Sequence, residues 1–209
     1  MATNREHELP WSTGDPAREW QLPPILAGAK SAFDEHGYHG TTVRDIARRA
    51  GVTVPGLYYH YESKQAMLVS LLMGSMTSLL DLCAAALATA APDPVSRFAA
   101  LIECVVEFMA RHASQGLLQS EIRSLEPDNR TRYVALRDEL ETLLRGIVAD
   151  GNAEGAFHTE FPVETSRAVL TMCDAVGRWY RPGGRMSPTT LARRYVTIAL
   201  STVGYQAAG

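Results

Sequence analysis

The sequence predicts an all-α protein in two parts: an N-terminal three-helix unit with a helix-turn-helix, joined by one long helix to a larger helical body. Three observations carry this. Apolar residues recur at spacings of three and four from Ile25 onward, with no alternating strand pattern. Prolines and glycines fall where such helices would start and stop. Three short helical segments fit between Pro23 and His60, and Ala50-Gly51-Val52-Thr53 joins the second to the third, two short helices around a tight glycine turn.

Residues 1–22 carry Pro10, Gly14 and Pro16 without a hydrophobic period and read as a flexible tail, in which Trp11 and Trp20 stand out. Pro23 and Pro24 open the first helix, because proline suits a first turn whose amides have no intrahelical acceptor. Ile25, Ala29, Phe33 and His36 form its stripe, and Gly37 is its expected stop. Thr42 caps the second helix, with Asp45 three residues on as in a variant capping box; Val43, Ile46, Ala47 and Ala50 face inward and Gly51 ends it. The third helix follows Thr53 and runs to about His60, and Ser63 caps a long fourth helix to about Ala90. Beyond it, helices are expected over 95–112, over 117–125 (broken by Glu126-Pro127-Asp128), and over 130–150 with Gly151 as its stop. The last two, over 162–180 and 187–205, flank the turn Arg181-Pro182-Gly183-Gly184. The domain reading is a tail at 1–22, a helix-turn-helix unit at 23–68 and a helical body at 69–209.

The 209 residues are 46% apolar and 21% charged, as in ordinary globular domains. No uninterrupted apolar run reaches the roughly eighteen residues that span a bilayer, and the start of the chain shows no apolar leader core. The expected setting is therefore cytoplasmic, with no membrane partner. Cys83, Cys104 and Cys173 lie far apart in sequence with no CxxC pair, which fits reduced thiols and argues against a cysteine zinc site. No metal or cofactor is expected. The net charge of −3 speaks against nucleic acid until it is divided: between residues 37 and 64, four bases (Arg44, Arg48, Arg49, Lys64) face two acids (Asp45, Glu62), a local +2. A small cationic face on an acidic body suits a protein that touches nucleic acid at one end. There is no GxSxG, HExxH, P-loop or GxGxxG, so no catalytic residue is nominated and an enzyme is not expected.

Thr41-Thr42-Val43-Arg44-Asp45-Ile46-Ala47 and Gly51-Val52-Thr53-Val54-Pro55-Gly56-Leu57-Tyr58-Tyr59-His60-Tyr61-Glu62-Ser63-Lys64 together resemble the DNA-binding signature of the TetR family of transcriptional regulators. The resemblance implies a homodimeric repressor that grips a palindromic double-stranded operator and responds to a small-molecule effector. It places backbone contacts at Thr42, Tyr58, His60 and Lys64, and base contacts at Arg44, Val54, Pro55 and Tyr59. The chemistry of the residues agrees. The third helix is the reader, its N-terminus entering the major groove. Val54 and Pro55 can meet a thymine methyl, and the Arg44 guanidinium can bridge guanine O6 and N7. Tyr58, Tyr59 and His60 can donate to phosphates, and Thr53 stands at a helix N-terminus suited to an anion. Gly56 allows close approach. Leu57, Val52 and Tyr61 read as core, Arg48 and Arg49 as a solvated face, and Tyr58 and Tyr59 also fit plain packing. The lead-in at 15–20 offers only Arg18, so no arm contact to DNA is expected.

Gly177-Arg178-Trp179-Tyr180-Arg181-Pro182-Gly183-Gly184 resembles a segment of actinobacterial family members that respond to acyl-CoA thioesters. This implies a mainly apolar effector with an anionic group. Phe98, Ile102, Met109, Tyr133 and Trp179 are the candidate lining, with Arg178 as a polar fixture beside His112, Glu121 and Arg123. For each apolar residue plain core is the default reading. His112 reads as a surface group at a helix C-terminus, where the dipole favours its charged form. The dimer interface is expected on the last two helices, through Ala168, Met172, Ala175 and Val176 on one and Leu191, Tyr195, Ile198 and Thr202 on the other.

Overall fold

The computed structural model describes residues 22–112 and 121–206. Among these it contains eight α-helices and no strand: α1 (Pro24–Gly40), α2 (Val43–Ala50), α3 (Val54–His60), α4 (Lys64–Thr89), α5 (Pro94–Arg111), α6 (Pro127–Ala153), α7 (Pro162–Trp179) and α8 (Pro188–Thr202). A 3-10 turn, Glu121–Ser124, precedes α6. The expected tail lies outside the described residues apart from Leu22, as do residues 117–120 of the helix expected over 117–125.

The head is closed by local devices. Oγ of Thr42, Thr53 and Ser63 accepts from the amides of Asp45, Gly56 and Ala66 at 3.2, 3.1 and 3.0 Å. Each such cap stabilises its helix by about 1 kcal/mol. Leu26, Ala29 and Phe33 of α1 meet Ile46, Ala47 and Leu57 of the helix-turn-helix and Met67, Leu68 and Leu71 of α4 in a continuous core. The first half of α4 thus belongs to the head, while Met76, Leu79 and Cys83 further along it are buried in the body. By length and composition α4 is apolar enough to cross a membrane, which counting uninterrupted apolar residues missed. Its composition follows from serving two cores.

In the body α5 is central, packed against α4, α6, α7 and α8. Phe98 on α5 meets Phe157 edge-on at 5.3 Å, both rings fully buried.

Three boundaries differ from expectation. Gly37 breaks the helical backbone (φ 68°, ψ 166°), yet the chain resumes a turn to Gly40 instead of stopping. The 3-10 turn ends before Glu126, so the expected break is present, but Pro127 also opens α6 ahead of the expected start at 130, because it occupies a first-turn position. Gly151 is not a stop but a buried residue inside α6, where a Cβ would lie 2.1 Å from the Phe157 ring. The glycine is there for close approach, not for a turn.

Candidate functional site

The third helix, α3, presents Pro55, Tyr58, Tyr59 and His60 outward. Tyr58 is 49% and Tyr59 86% exposed, so packing does not account for Tyr59. His60 is exposed and meets the Tyr59 ring edge-on at 5.1 Å. Pro55 is exposed, while Val54 is half-buried against the core and offers only part of its surface. Leu57 is fully buried and Tyr61 half-buried, on the inner side as expected. Gly56 has a local reason of its own: a Cβ there would stand 3.1 Å from the Thr53 hydroxyl that caps the helix.

The basic residues of the head divide into free and engaged groups. Arg44 is exposed and forms no ion pair among the described residues. Arg48 pairs with Asp45, whose carboxyl is lowered first by that hydrogen bond. Arg49 is no solvated group: it reaches Asp45 at 3.0 Å, Glu35 at 2.7 Å and the Ser31 hydroxyl at 2.9 Å, tying α2 to α1. The Asp45–Arg49 spacing of four was the available signal. Lys64 Nζ donates to the carbonyls of Tyr38 and Thr41 at 2.6 and 2.8 Å and lies 4.3 Å from the Tyr38 ring centroid. Its first task is therefore to hold the end of α1.

That end of α1 is also held from the body. Glu121 Oε1, on the 3-10 turn, accepts from the Tyr38 amide at 3.0 Å, and its Oε2 accepts from the Ser124 hydroxyl at 2.8 Å. With its amide oriented to satisfy both sides, nearly buried Gln65 donates to the Tyr38 hydroxyl and the Ser124 carbonyl and accepts from the Glu126 amide. Glu121 thus faces the head, not the effector pocket where the sequence reading put it. His112, the C-cap of α5, packs 4.5 Å from the Phe108 ring. Burial, helped by the charges of Arg111 and Lys30, lowers its pKa to about 4, which corrects the expectation of a dipole-stabilised charged histidine.

A cavity of about 620 Å³ opens among α4, α5, α6, α7 and the 3-10 turn, within the range of small-molecule sites. Met76, Leu79, Val105, Met109, Leu140 and Leu170 give it apolar walls; Arg137, Arg167, Arg178, Asp138, Glu141 and Asp174 line its polar side. Arg167 is held by Glu141 at 2.8 Å, whereas Arg178 is exposed and forms no ion pair among the described residues. Tyr133 is in the wall, its phenol pushed up to about 12 chiefly by burial. Of the six expected lining residues, Met109, Tyr133 and Arg178 are in place. Phe98 and Ile102 are instead fully buried core, because α5 turns that stripe toward the middle of the body. Trp179 also lies outside the cavity, 50% exposed and stacked on Tyr195 with centroids 6.5 Å apart. Met76 and Leu79 of α4 were missed, since nothing in their periodic run marks them as wall rather than core.

The α7–α8 face is only partly as expected. Ala168, Ile198 and Thr202 are exposed, and Met172, Ala175 and Tyr195 are half-buried. Val176 and Leu191 are buried inside the protomer and present no surface to a partner.

Comparison with known proteins accounts for both halves of this arrangement. The model for bacterial regulatory proteins of the tetR family matches residues 25–71, and that for the tetracyclin repressor-like C-terminal domain matches 91–203. The chain is 33% identical over 193 residues to the HTH-type transcriptional repressor KstR2 of Rhodococcus jostii, covering 90% of this chain and 92% of that one. The solved ketosteroid transcriptional regulator KstR2 of Mycobacterium tuberculosis superposes with a TM-score of 0.78 at 27% identity, over 88% of this chain and 94% of that one. The TetR family transcriptional regulator PfmR from Thermus thermophilus gives 0.77 at 31% identity, over 85% and 97%.

Proposed function

The chain belongs to the TetR family of DNA-binding transcriptional regulators, and from that premise we propose a homodimeric repressor that an acyl-CoA-like effector frees from a palindromic operator. The observation that carries the release step is the position of the cavity. Ile122, on the 3-10 turn, lines it, and Glu121, the next residue, holds the Tyr38 amide of the head. An apolar group filling the space displaces Ile122, and with it the grip on the end of α1. The free Arg178 at the polar side meets the anionic part of the effector; charge-assisted bonds of this kind need a fixed cation near an apolar slot.

On DNA, Arg44 reads a guanine, and Val54 and Pro55 meet thymine methyls. Thr42, Thr53, Tyr58, Tyr59 and His60 donate to phosphates, which positions the head without reading sequence. Gly56 lets the short helix approach, and Lys64, at the start of α4, lends its charge from beside the end of α1. Two heads are needed, since one short helix touches too few bases. They are brought together by the exposed apolar face of α7 and α8, with Trp179 and Ile198 at its centre and Ala168, Met172, Ala175, Tyr195 and Thr202 around them. The heads then stand roughly 34–36 Å apart, one DNA turn.

The test is a thermal-shift series with acyl-CoA thioesters of increasing apolar bulk, beside a gel shift on the DNA upstream of the protein's own gene. A thioester that raises the melting temperature must also release the DNA. Arg178→Ala should weaken thioester binding about tenfold or more, since bonds to charged groups contribute about 1.5–3 kcal/mol, and leave DNA affinity unchanged. No shift with any thioester would overturn the effector class. A sedimenting species of 22.8 kDa, the monomer mass, at micromolar concentration would overturn the dimer.

A further inference from the structure

The three cysteines, far apart in sequence, are not all far apart in the fold. Cys83 on α4 and Cys104 on α5 meet, with Cys83 Sγ donating to Cys104 Sγ at 3.6 Å. Cys83 is fully buried and Cys104 partly exposed, whereas Cys173 is buried alone on α7. We propose that Cys83 and Cys104 are an oxidisable dithiol whose disulfide ties α4 to α5 beside the cavity.

The geometry is close to what the bond needs. The sulfurs must approach by about 1.5 Å to reach the roughly 2.05 Å of a disulfide, within reach of side-chain rotation and a small helix shift. The roles of the two thiols differ. The hydrogen bond it donates to Cys104, and then burial, hold the proton on Cys83, whose pKa is raised well above the usual thiol range. Cys104 is the accepting sulfur and the one that solvent reaches, so it meets the oxidant first. Hydrogen peroxide converts the Cys104 thiol to a sulfenic acid and leaves as one water. Cys83 Sγ then attacks the sulfenic sulfur, its proton and the hydroxyl leave as a second water, and the S–S bond forms. The two thiols together lose two electrons and two protons, which the peroxide takes up as its O–O bond breaks.

The place of the bond gives it a consequence. Leu79, one turn before Cys83, and Val105, next to Cys104, are both cavity walls. A covalent tie there fixes α4, the helix that carries the head, against α5. That consequence rests on the release mechanism proposed above; the bond itself does not.

The experiment treats the full chain with hydrogen peroxide and measures its intact mass without reductant. The expected result is a loss of about 2 Da, reversed by dithiothreitol, with one linked peptide pair containing Cys83 and Cys104. Cys104→Ser and Cys83→Ala should each abolish the loss, and Cys173→Ser should retain it. An unchanged wild-type mass, or oxygen added at Cys104 with no linked pair, overturns the dithiol. Amide exchange is then compared between the oxidised and reduced protein. Slower exchange along α4 and α5 supports the tie, and equal exchange overturns its effect on α4, whatever the effector proves to be.

Discussion

The head and the body are both helical, yet their interiors are filled differently. In the head the helix starts of α2, α3 and α4 are closed by hydroxyl caps reaching three residues along the chain, and the interior is filled: Leu26, Ile46, Leu57, Met67 and Leu68 have no exposure. In the body Asp93 and Ser187 likewise cap α5 and α8, while α6 and α7 start at prolines without a side-chain cap; there the packing stops at a cavity of about 620 Å³. A region that must present Arg44, Pro55, Tyr58 and Tyr59 in one geometry gains from closure. A region that must yield to a ligand needs space left unfilled, and it relinquishes packing energy to keep that space.

The largest effect should come from the head core. Leu57→Ala removes a fully buried side chain with no room to collapse, and should cost about 2–5 kcal/mol of unfolding free energy. Met109→Ala, on the cavity wall, should cost less, since part of its surface already faces space. Urea unfolding of both variants compares the regions directly, and equal losses would erase the distinction between a filled head and a hollow body.

Next in size is the split within the head between reading and positioning. Arg44→Ala should lower discrimination at one operator base pair by about 1–3 kcal/mol. Tyr58→Phe should weaken all sequences alike. Binding to a set of single-base operator variants separates the two; a uniform loss with Arg44→Ala would remove its base-reading role.

The junction should give a smaller and more selective effect. Glu121→Ala deletes the acceptor for the Tyr38 amide, and should change effector-driven release by about 0.5–2 kcal/mol while leaving effector affinity for the free protein nearly intact. The measurement is thioester titration with and without DNA. A variant released just as readily as wild type would place the coupling elsewhere.

The remaining effect is a pH slope. His112 falls from its ordinary 6.5 to about 4 because burial disfavours the imidazolium. The unfolded chain takes up this proton near pH 6.5, and the folded protein only near pH 4. Stability therefore drops as pH falls through that window and is unaffected above it. His112→Gln should flatten this part of the curve in urea unfolding between about pH 7 and pH 4, and an unchanged slope would show that His112 is not its source.

The sequence by itself determined the helix periods, the caps at Thr42, Thr53 and Ser63, the turn at Gly51, and an outward-facing Tyr58-Tyr59-His60. All of these depend on contacts within a few residues or on the side a helix must turn to a core, and so are written in local order. Tertiary structure alone decided what the apolar stripes of the body do: Phe98 and Ile102 became core, Met76 and Leu79 became cavity wall, Trp179 came to the α7–α8 face and Val176 stayed inside. A hydrophobic side chain carries the same periodic signal in each case, because transfer from water does not depend on which partner covers it. The same limit hid the tasks of Lys64 and Glu121. Lys64 meets carbonyls 23 and 26 residues away, and Glu121 an amide 83 residues away. Pairings at that separation exist only once the helices have packed.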